Sequence, residues 1–262
     1  MNHLRGIYTI WYRDVLRFWH DKMRLIGSIT FPLLFLFVFG SGLSSRMGVL
    51  GPGVNFTQFI FPGIIGMTVL MSSFMAGVSV VWDREFGFLK EVLVAPISRA
   101  AVAIGKTLGS ATVALLQGML ILLFAPLIGV SVSPWQVMAL LPLMFLLAIS
   151  LGSLGVLLAT RIRSMEAFQA TMQMLMFPLV FLSGAFFPVQ GLPIWMNVLV
   201  KINPATYGIA SIRQLILEAA SDSFYGINLF GHALSIWNEI LILAAFGAVV
   251  ILLAMWSFGS QE

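Results

Sequence analysis

The chain has 262 residues, of which 60% are apolar and 9% are charged. A soluble domain is about half apolar, so this composition excludes a soluble globular protein. The sequence contains no cysteine, which excludes disulfides, thiolate metal sites and cysteine catalysis. The formal net charge is +4, but the cations are concentrated in a few connections and are not a nucleic-acid signal.

Residues 1–24 have a helical pattern of their own. Five apolar side chains repeat at helical spacing, and four arginines lie on or near the other side. Trp11, Tyr12 and Trp19 are residue types that prefer the lipid headgroup layer. The segment is therefore predicted to be an interfacial helix under the inner leaflet, where it anchors the chain to lipid or grips a partner. The apolar positions are Leu4, Ile7, Trp11, Val15 and Phe18, and the arginines are Arg5, Arg13, Arg17 and Arg24.

Five or six apolar runs are long enough to cross the hydrocarbon layer, which takes roughly 20 residues in a helix. Backbone polar groups in lipid must be hydrogen-bonded within their own segment, so these runs are predicted to be helices. The predicted fold is an all-α integral membrane protein with six transmembrane helices. The predicted spans are Leu25–Leu43, Phe59–Val81, Val102–Ile128, Val137–Thr160, Phe168–Phe187 and Ile236–Phe258.

Trp82–Arg99 is a charged segment between two apolar runs. Read as a helix, it places Trp82, Phe86, Leu89 and Leu93 on one apolar stripe. The opposite side is predicted to carry Asp83, Arg84, Gly87, Lys90 and Glu91, and Pro96 to end the helix. A short amphipathic helix of this kind beside a bilayer suits contact with a soluble partner, although a solvated connection is the alternative.

The distribution of Lys and Arg predicts the orientation of the chain. Eleven of the 14 lie before the first span, around Trp82–Arg99 or after the fourth span, and three lie in the other connections. Cations are enriched on the cytoplasmic side, so both termini and Trp82–Arg99 are predicted to be cytoplasmic. The first run is too long, and lacks the small-residue cleavage site, for a signal peptide.

Pro188–Ser235 is a long, nearly uncharged connection before the last span. Ile194–Ile202 and Tyr207–Leu217 are each too short to cross a bilayer, so short helices that dip into the outer leaflet are predicted. A seventh span is the alternative. Glu239, the ionisable residue of the last span, is expected to be solvated or capping, with a relay as the alternative.

Recognisable catalytic or metal-binding patterns are missing from the sequence. His3, His20 and His232 are scattered between the two predicted sides of the membrane, which predicts neither a metal cluster nor a triad. Gly105, Lys106 and Thr107 look like the end of a phosphate-binding loop, but position 100 is alanine and no strand precedes them. An Asn-x-Thr sequence at residues 55–57 is a chance match to a glycosylation site.

Two parts of the chain resemble ABC-2-type transporter permeases. Residues 84–91 (REFGFLKE) and 95–99 (APISR) resemble the signature loop of that family. Phe88 and Lys90 depart from it, because the family often has Thr and Glu there. The second match consists of residues 181–184 (FLSG), 187–188 (FP), 192–193 (LP), Trp195, 203–207 (NPATY) and Arg213. The whole layout is similar to the short permeases of daunorubicin-type drug export and related lipid, nodulation-signal and polysaccharide exporters.

The resemblance implies one transmembrane domain over residues 1–262 that forms a dimer, with a second copy of the chain expected and a paralogue as the alternative. It implies that Trp82–Arg99 is a coupling helix seated on a separate, soluble ABC ATPase subunit. ATP and Mg would then be bound by that partner, and this chain would hold no cofactor. The implied coupling residues are Arg84, Glu85, Gly87, Lys90, Glu91, Pro96 and Arg99, and the matched residues of the outer segment include Asn203, Pro204, Tyr207 and Arg213.

The second and fifth spans would line the family's central cavity. Their rows of methionine, phenylalanine and glutamine suit varied apolar ligands with a few polar contacts, although ordinary helix packing or lipid contact is the favoured explanation. The candidate residues are Met67, Met71, Met75, Phe168, Gln169, Met172, Gln173 and Met176.

The predicted function is the permease subunit of an ATP-driven exporter in the plasma (inner) membrane. Its substrate is expected to be an amphipathic drug, a lipid or a glycan, and the chain itself is not expected to be an enzyme. The alternative is a membrane scaffold that anchors a soluble complex without transport. An intramembrane enzyme and a channel are weaker, because the spans carry neither an acid–base pair nor a ring of polar residues.

Overall fold

The computed structural model describes residues 2–47, 54–87, 98–162, 164–218, 227–229 and 232–259. These residues are almost entirely helical, with one short 3-10 turn at Ala125–Ile128 and a pair of two-residue antiparallel strands, β1 (Asn228–Leu229) and β2 (His232–Ala233). The helices are α1 (Asn2–His20), α2 (Lys22–Met47), α3 (Phe56–Ser73), α4 (Met75–Glu85), α5 (Arg99–Leu122), α6 (Pro134–Arg161), α7 (Met165–Phe181), α8 (Ile194–Ile202), α9 (Pro204–Ile216) and α10 (Ile236–Gly259).

Helices occupy all six positions at which spans are predicted. Within the described residues, four helical segments are long and apolar enough to cross a membrane on their own, namely α3 with α4, α5, α6 and α10. A fifth qualifies if α1 and α2 are counted as one bent span. The chain is therefore an all-helical integral membrane protein, and the count of six spans stays a prediction.

The helix of the second predicted span is interrupted at a single residue. It divides at Phe74 into α3 and α4. Just past this break α4 packs very closely on α6, and a Cβ at Gly77 would overlap the Gly155 carbonyl oxygen and the Phe168 ring. Glycine is therefore needed at position 77 by the close approach of the two helices.

Two other predicted spans are too long at their carboxyl ends. The third ends at Leu122, and the chain then turns through Ala125–Ile128 to Gly129, whose φ is 73°. The fifth ends at Phe181 and is followed by Gly184 with a φ of 72°. Both glycines adopt the left-handed backbone conformation that ends helices, although apolar residues continue past each helix end.

The centre of the bundle is α3. In the most apolar stretch of α3 and α4, 78% of residues are buried within the protein, compared with 28% in α10. The main core surrounds α3 and includes Phe59, Ile64 and Leu70 together with Leu147 of α6, and each of these is fully buried. The short helices predicted in the outer segment are present as α8 and α9, and α9 packs on α3, α6 and α10.

Candidate functional site

At one end of the bundle, α1 packs along α5. The Trp11 indole donates a hydrogen bond of 2.9 Å to the Thr112 hydroxyl, and Ile10 and Phe18 are buried. Much of the apolar stripe of α1 therefore faces protein, whereas the Tyr8 and Trp19 side chains remain exposed. Contact with lipid or with a partner stays a prediction for the exposed side of this helix.

Four charged side chains meet where α1, α4 and α5 come together. Arg13 Nη2 lies 2.8 Å from Asp83 Oδ2 and 3.2 Å from Asp14 Oδ1. Lys106 Nζ lies 2.5 Å from Asp83 Oδ2 and 3.5 Å from Asp14 Oδ2, and it also donates to the Ser79 hydroxyl. We call these four residues, Arg13, Asp14, Asp83 and Lys106, the ion network. We call the end of the bundle where α1, α4 and α5 come together the basic end.

The ion network is neutral as a set and mostly shielded from solvent. The Lys106 side chain is 2% exposed, Asp83 is 9% exposed and Asp14 is 12% exposed. A buried charge is stable only with a partner, so each cation here depends on the two carboxylates and each carboxylate on the two cations.

One interpretation of the sequence is wrong at this point, and one residue is missed. Asp83 is predicted to lie on the solvent-facing side of the Trp82–Arg99 helix, but it is buried against Arg13 and Lys106. The place of Lys106 in the ion network is missed, because the sequence suggests only a false phosphate loop there. One signal was present in the sequence: Lys106 lies inside the predicted third span, and an ionisable residue there requires a partner.

The first part of Trp82–Arg99 is not a separate helix. Residues Trp82–Glu85 form the last turn of α4, and Gly87 follows in a turn with a φ of 78°. Arg99 is the first residue of α5, whose amino end is capped by the Ser98 hydroxyl. Lys90, Glu91 and Pro96 lie outside the described residues, as do the stripe positions Leu89 and Leu93.

The predicted coupling residues that the structure describes have different surroundings. Arg84 Nη1 donates a hydrogen bond of 3.1 Å to the Ile162 carbonyl at the end of α6, whereas Glu85 is exposed. Trp82 and Phe86 are also exposed, and the Arg17 guanidinium lies over the Trp82 ring at 5.3 Å. The basic end therefore presents a carboxylate and aromatic rings to its surroundings, while Arg84 is used to join two helices.

A cavity of about 360 Å³ lies beside the ion network, between α1, α4, α5 and α7. Its lining combines charged residues of α1, hydroxyl groups and apolar side chains, and it includes Met75 and Gln169. These two residues come from the two rows proposed for a substrate route. The cavity is large enough for part of a small amphipathic molecule.

The other candidates for the substrate route are placed differently. Phe168 is fully buried in a core cluster, and Met67 is also buried. The side chains of Met71 and Gln173 are exposed, and those of Met172 and Met176 are partly buried against the core. The structure thus brings Met75 and Gln169 to one cavity, does not gather the remaining residues there, and leaves the route a prediction.

At the opposite end, the matched residues of the outer segment hold α7, α8 and α9 together. The Asn203 amide donates to the Leu179 carbonyl at 2.9 Å, and its oxygen accepts from the Ala205 amide at 3.0 Å, which caps α9. Pro204 is the first residue of α9, a position that suits its fixed φ. The Tyr207 hydroxyl donates to the Lys201 carbonyl at 2.7 Å.

Arg213 is the buried cation of this end. Its Nη2 donates to the carbonyls of Gly184 at 2.6 Å and Ala185 at 3.3 Å, in the turn that follows α7. The guanidinium also lies 4.2 Å from the centre of the Phe59 ring. Arg213 therefore joins α9 to that turn and to α3.

Glu239 is fully buried, so the expectation of a solvated residue is wrong. Its carboxylate accepts hydrogen bonds from the Ser211 hydroxyl and the Gln214 amide, each at 3.0 Å. Both donors belong to α9, so Glu239 joins α10 to α9. It was expected at a solvated boundary because it lies in the first turn of its helix, but α9 covers that turn.

Comparison with known proteins gives the same family over nearly the whole chain. Residues 5–217 match the family model described as ABC-2 type transporter. The chain is 30% identical to the putative transport permease ycf38 of Cyanophora paradoxa, over 95% of this chain and 88% of that protein. It is 26% identical to nodulation protein J of Rhizobium leguminosarum bv. trifolii, over 80% of each chain.

A further relative is the inner membrane transport permease YadH of Escherichia coli (strain K12), which is 25% identical over 94% of this chain and 89% of that protein. Three relatives with different names thus align with most of this chain. Two of the three are named transport permeases, in agreement with the apolar helices of the fold. The chain belongs to the ABC-2 type transporter family.

Proposed function

We propose that this chain is the permease subunit of an ATP-driven exporter whose ATPase is a separate soluble protein. The observation that carries the proposal is the arrangement of the basic end. The two helices that flank residues 88–97, α4 and α5, are held together there by Asp83 and Lys106. A push on residues 88–97 by a partner would reach both helices through their ends.

The partner surface would consist of residues 88–97 together with the exposed side chains next to them. Glu85 and Phe86 are exposed at the end of α4, and Arg99 begins α5 on the other side of the segment. Lys90, Glu91 and Pro96 belong to the same proposed surface. Arg84 contributes to it indirectly, because its hydrogen bond to Ile162 fixes the end of α4 against the end of α6.

In the proposed mechanism, ATP binding closes the paired ATPase subunits and displaces residues 88–97. The displacement moves α4 and α5, and the spans then alternate between inward-facing and outward-facing states. Substrate and nucleotide need only favour different states for such a cycle to operate. This arrangement requires two permease copies, so we propose a homodimer in the plasma membrane with both termini in the cytoplasm.

The proposed substrate is an amphipathic drug, a lipid or a glycan-type molecule. The cavity beside Met75 and Gln169 supports this class, because it joins polar groups of α1 to apolar side chains of α4. An amphipathic molecule that enters from the inner leaflet would find both kinds of surface there. The names of the relatives, which include a nodulation protein, are compatible with more than one cargo.

The proposal is tested by reconstitution with a candidate soluble ABC ATPase from the same organism. The two proteins are co-purified into proteoliposomes, and ATP hydrolysis is measured with a lipophilic cationic dye, a fluorescent phospholipid and a fluorescent glycolipid. We expect the chain alone to bind no ATP, and the complex to hydrolyse ATP faster with at least one probe and to move that probe. An ATPase that associates but whose activity and probe distribution never change would favour the scaffold.

A further inference from the structure

The two helices that lead into and out of residues 88–97 share one buried cation, Lys106. We propose that Arg13, Asp14, Asp83 and Lys106 are positioning residues that make α1, α4 and α5 one rigid body. A displacement of residues 88–97 would then carry α1 with both spans, rather than bend the protein at the base of the segment. This inference rests on the proposed function for the role of the rigid body in transport. Whether the three helices keep fixed distances can be measured without a transport assay.

The position of the ion network along the helices is the first argument. Asp83 lies in the last turn of α4, whereas Lys106 lies about two turns into α5, since one turn takes 3.6 residues. The network therefore joins the two helices at positions within α4 and α5, and not within residues 88–97, which connect them. Arg13 and Asp14 extend the same connection to α1. Arg13 and Asp83, which are in contact, are 70 residues apart in the sequence.

The chemistry of the contact is the second argument. Burial of apolar surface is non-directional, so it fixes the relative position of two helices less specifically than paired charges do. Lys106 has two carboxylates and the Ser79 hydroxyl as partners and is 2% exposed, so separation of α4 from α5 removes the Asp83 carboxylate and the Ser79 hydroxyl from a buried cation. The relative position of the helices is thus fixed by the geometry of the ion pairs.

Close packing around the network also holds α1 against α5. The Trp11 indole is hydrogen-bonded to Thr112, two turns beyond Lys106 on α5, at 2.9 Å. A Cβ at Gly105 would lie 2.9 Å from the Ile10 Cβ, so α1 and α5 are already close there. The ion network adds α4 to this pair. The helix α7 contributes to the neighbouring cavity but supplies none of the four charges.

The test uses pairs of spin labels on the full chain, which contains no native cysteine. One pair is Tyr8→Cys with Phe86→Cys, at exposed positions of α1 and at the end of α4. The comparison is between the parent and the double variant Asp83→Asn/Lys106→Gln. The double variant removes one cation and one anion together and so leaves the set neutral. Arg161→Gln is the matched control, because Arg161 is an exposed cation at the end of α6.

We expect a single narrow Tyr8–Phe86 distance in the parent and in the Arg161→Gln control, in phospholipid nanodiscs. The double variant should at least double the width of that distribution while the chain remains folded, as judged by its melting curve. An unchanged distance and width in a folded double variant would overturn the rigid body and leave the network a local stabilising contact.

A second label pair separates this inference from the proposed function. Phe86→Cys with Met174→Cys joins the end of α4 to an exposed position on α7. In the complex with the ATPase, trapping with ATP, Mg and vanadate should shift this distance while the Tyr8–Phe86 distance stays constant. A Tyr8–Phe86 distance that shifts as much as the Phe86–Met174 distance would overturn the rigid body. Failure of the ATPase to associate would contradict the proposed function, and the nucleotide-free comparison would still decide this inference.

Discussion

The two ends of the bundle bury charged residues in different ways. At the basic end, Arg13, Asp14, Asp83 and Lys106 are paired with one another across three helices. At the opposite end, the closest partners of the buried charges are neutral groups. Arg213 donates to backbone carbonyls, and Glu239 accepts from a hydroxyl and an amide.

This difference decides how each end responds to the loss of one charge. In a set of opposite charges, removal of one member leaves another member buried without compensation, which is the most costly case. Arg213 and Glu239 are hydrogen-bonded to neutral groups, so replacement of either chiefly removes hydrogen bonds rather than the partner of an ion pair. The basic end should therefore be more sensitive to single substitutions.

The largest effect is expected for Lys106→Met. It leaves Asp14 and Asp83 close together with Arg13 as their remaining cation in the network, and loss of one partner of a buried pair costs about 3–5 kcal/mol. The melting temperature in detergent should fall strongly, and the double variant Asp83→Asn/Lys106→Met should recover a large part of the loss. Equal stability of the single and double variants would show that the charges do not depend on one another.

A smaller loss is expected for Arg213→Met. This change removes two hydrogen bonds from a charged donor to the carbonyls of Gly184 and Ala185, and such bonds contribute about 1.5–3 kcal/mol each. The bond to Ala185 is long and the methionine retains apolar contact with the Phe59 ring, so the net loss should be close to that of one such bond. The measurement is the melting curve, and Lys201→Met, a partly exposed cation on α8, is the control.

Glu239→Gln should cost less again. Glutamine has nearly the same shape and can still accept from Ser211, but its amide nitrogen cannot accept the hydrogen bond from Gln214. The expected loss is about 0.5–1.5 kcal/mol, the contribution of one hydrogen bond. Glu239→Leu removes both acceptors and should be clearly less stable than Glu239→Gln. The reverse order would mean that the two bonds to α9 do not contribute to stability.

The sequence predicts the positions of the helices better than their ends. Apolar runs determine where a helix can lie in a membrane, and helices occur at all six predicted positions. The ends depend on turn residues such as Gly184, which lies within an apolar run and is therefore not marked by composition. The short helices were placed well, because Pro193 and Pro204 mark their first turns.

The ion network could not be predicted in detail, because its members are distant in sequence. Arg13 and Asp83 are 70 residues apart, and only the packing of α1 on α5 brings them together. Periodicity correctly gives α1 an apolar side but cannot identify what that side contacts. For the same reason, the periodicity of Trp82–Arg99 places Asp83 on the solvent side. The pattern of one helix does not show which neighbouring helix covers its polar side.

The last prediction concerns a change that should not affect stability at all. The exposed Glu85 carboxylate lies at the end of α4, so Glu85→Arg should leave the melting curve unchanged. If Glu85 is part of the proposed partner surface, the same change should weaken association with the ATPase and lower ATP hydrolysis by the complex. The measurement is a pull-down of the ATPase beside the melting curve.

Glu85→Arg is a better test of the partner surface than a reversal of Arg84. Arg84 is hydrogen-bonded to the Ile162 carbonyl, so Arg84→Glu would disturb the contact between α4 and α6 as well as any contact with a partner. Glu166→Arg, which reverses an exposed carboxylate near the start of α7, is the matched control. Weaker association in Glu85→Arg, with normal association in Glu166→Arg, would assign the partner surface to the end of α4. Equal association in both would restrict that surface to residues 88–97 and beyond.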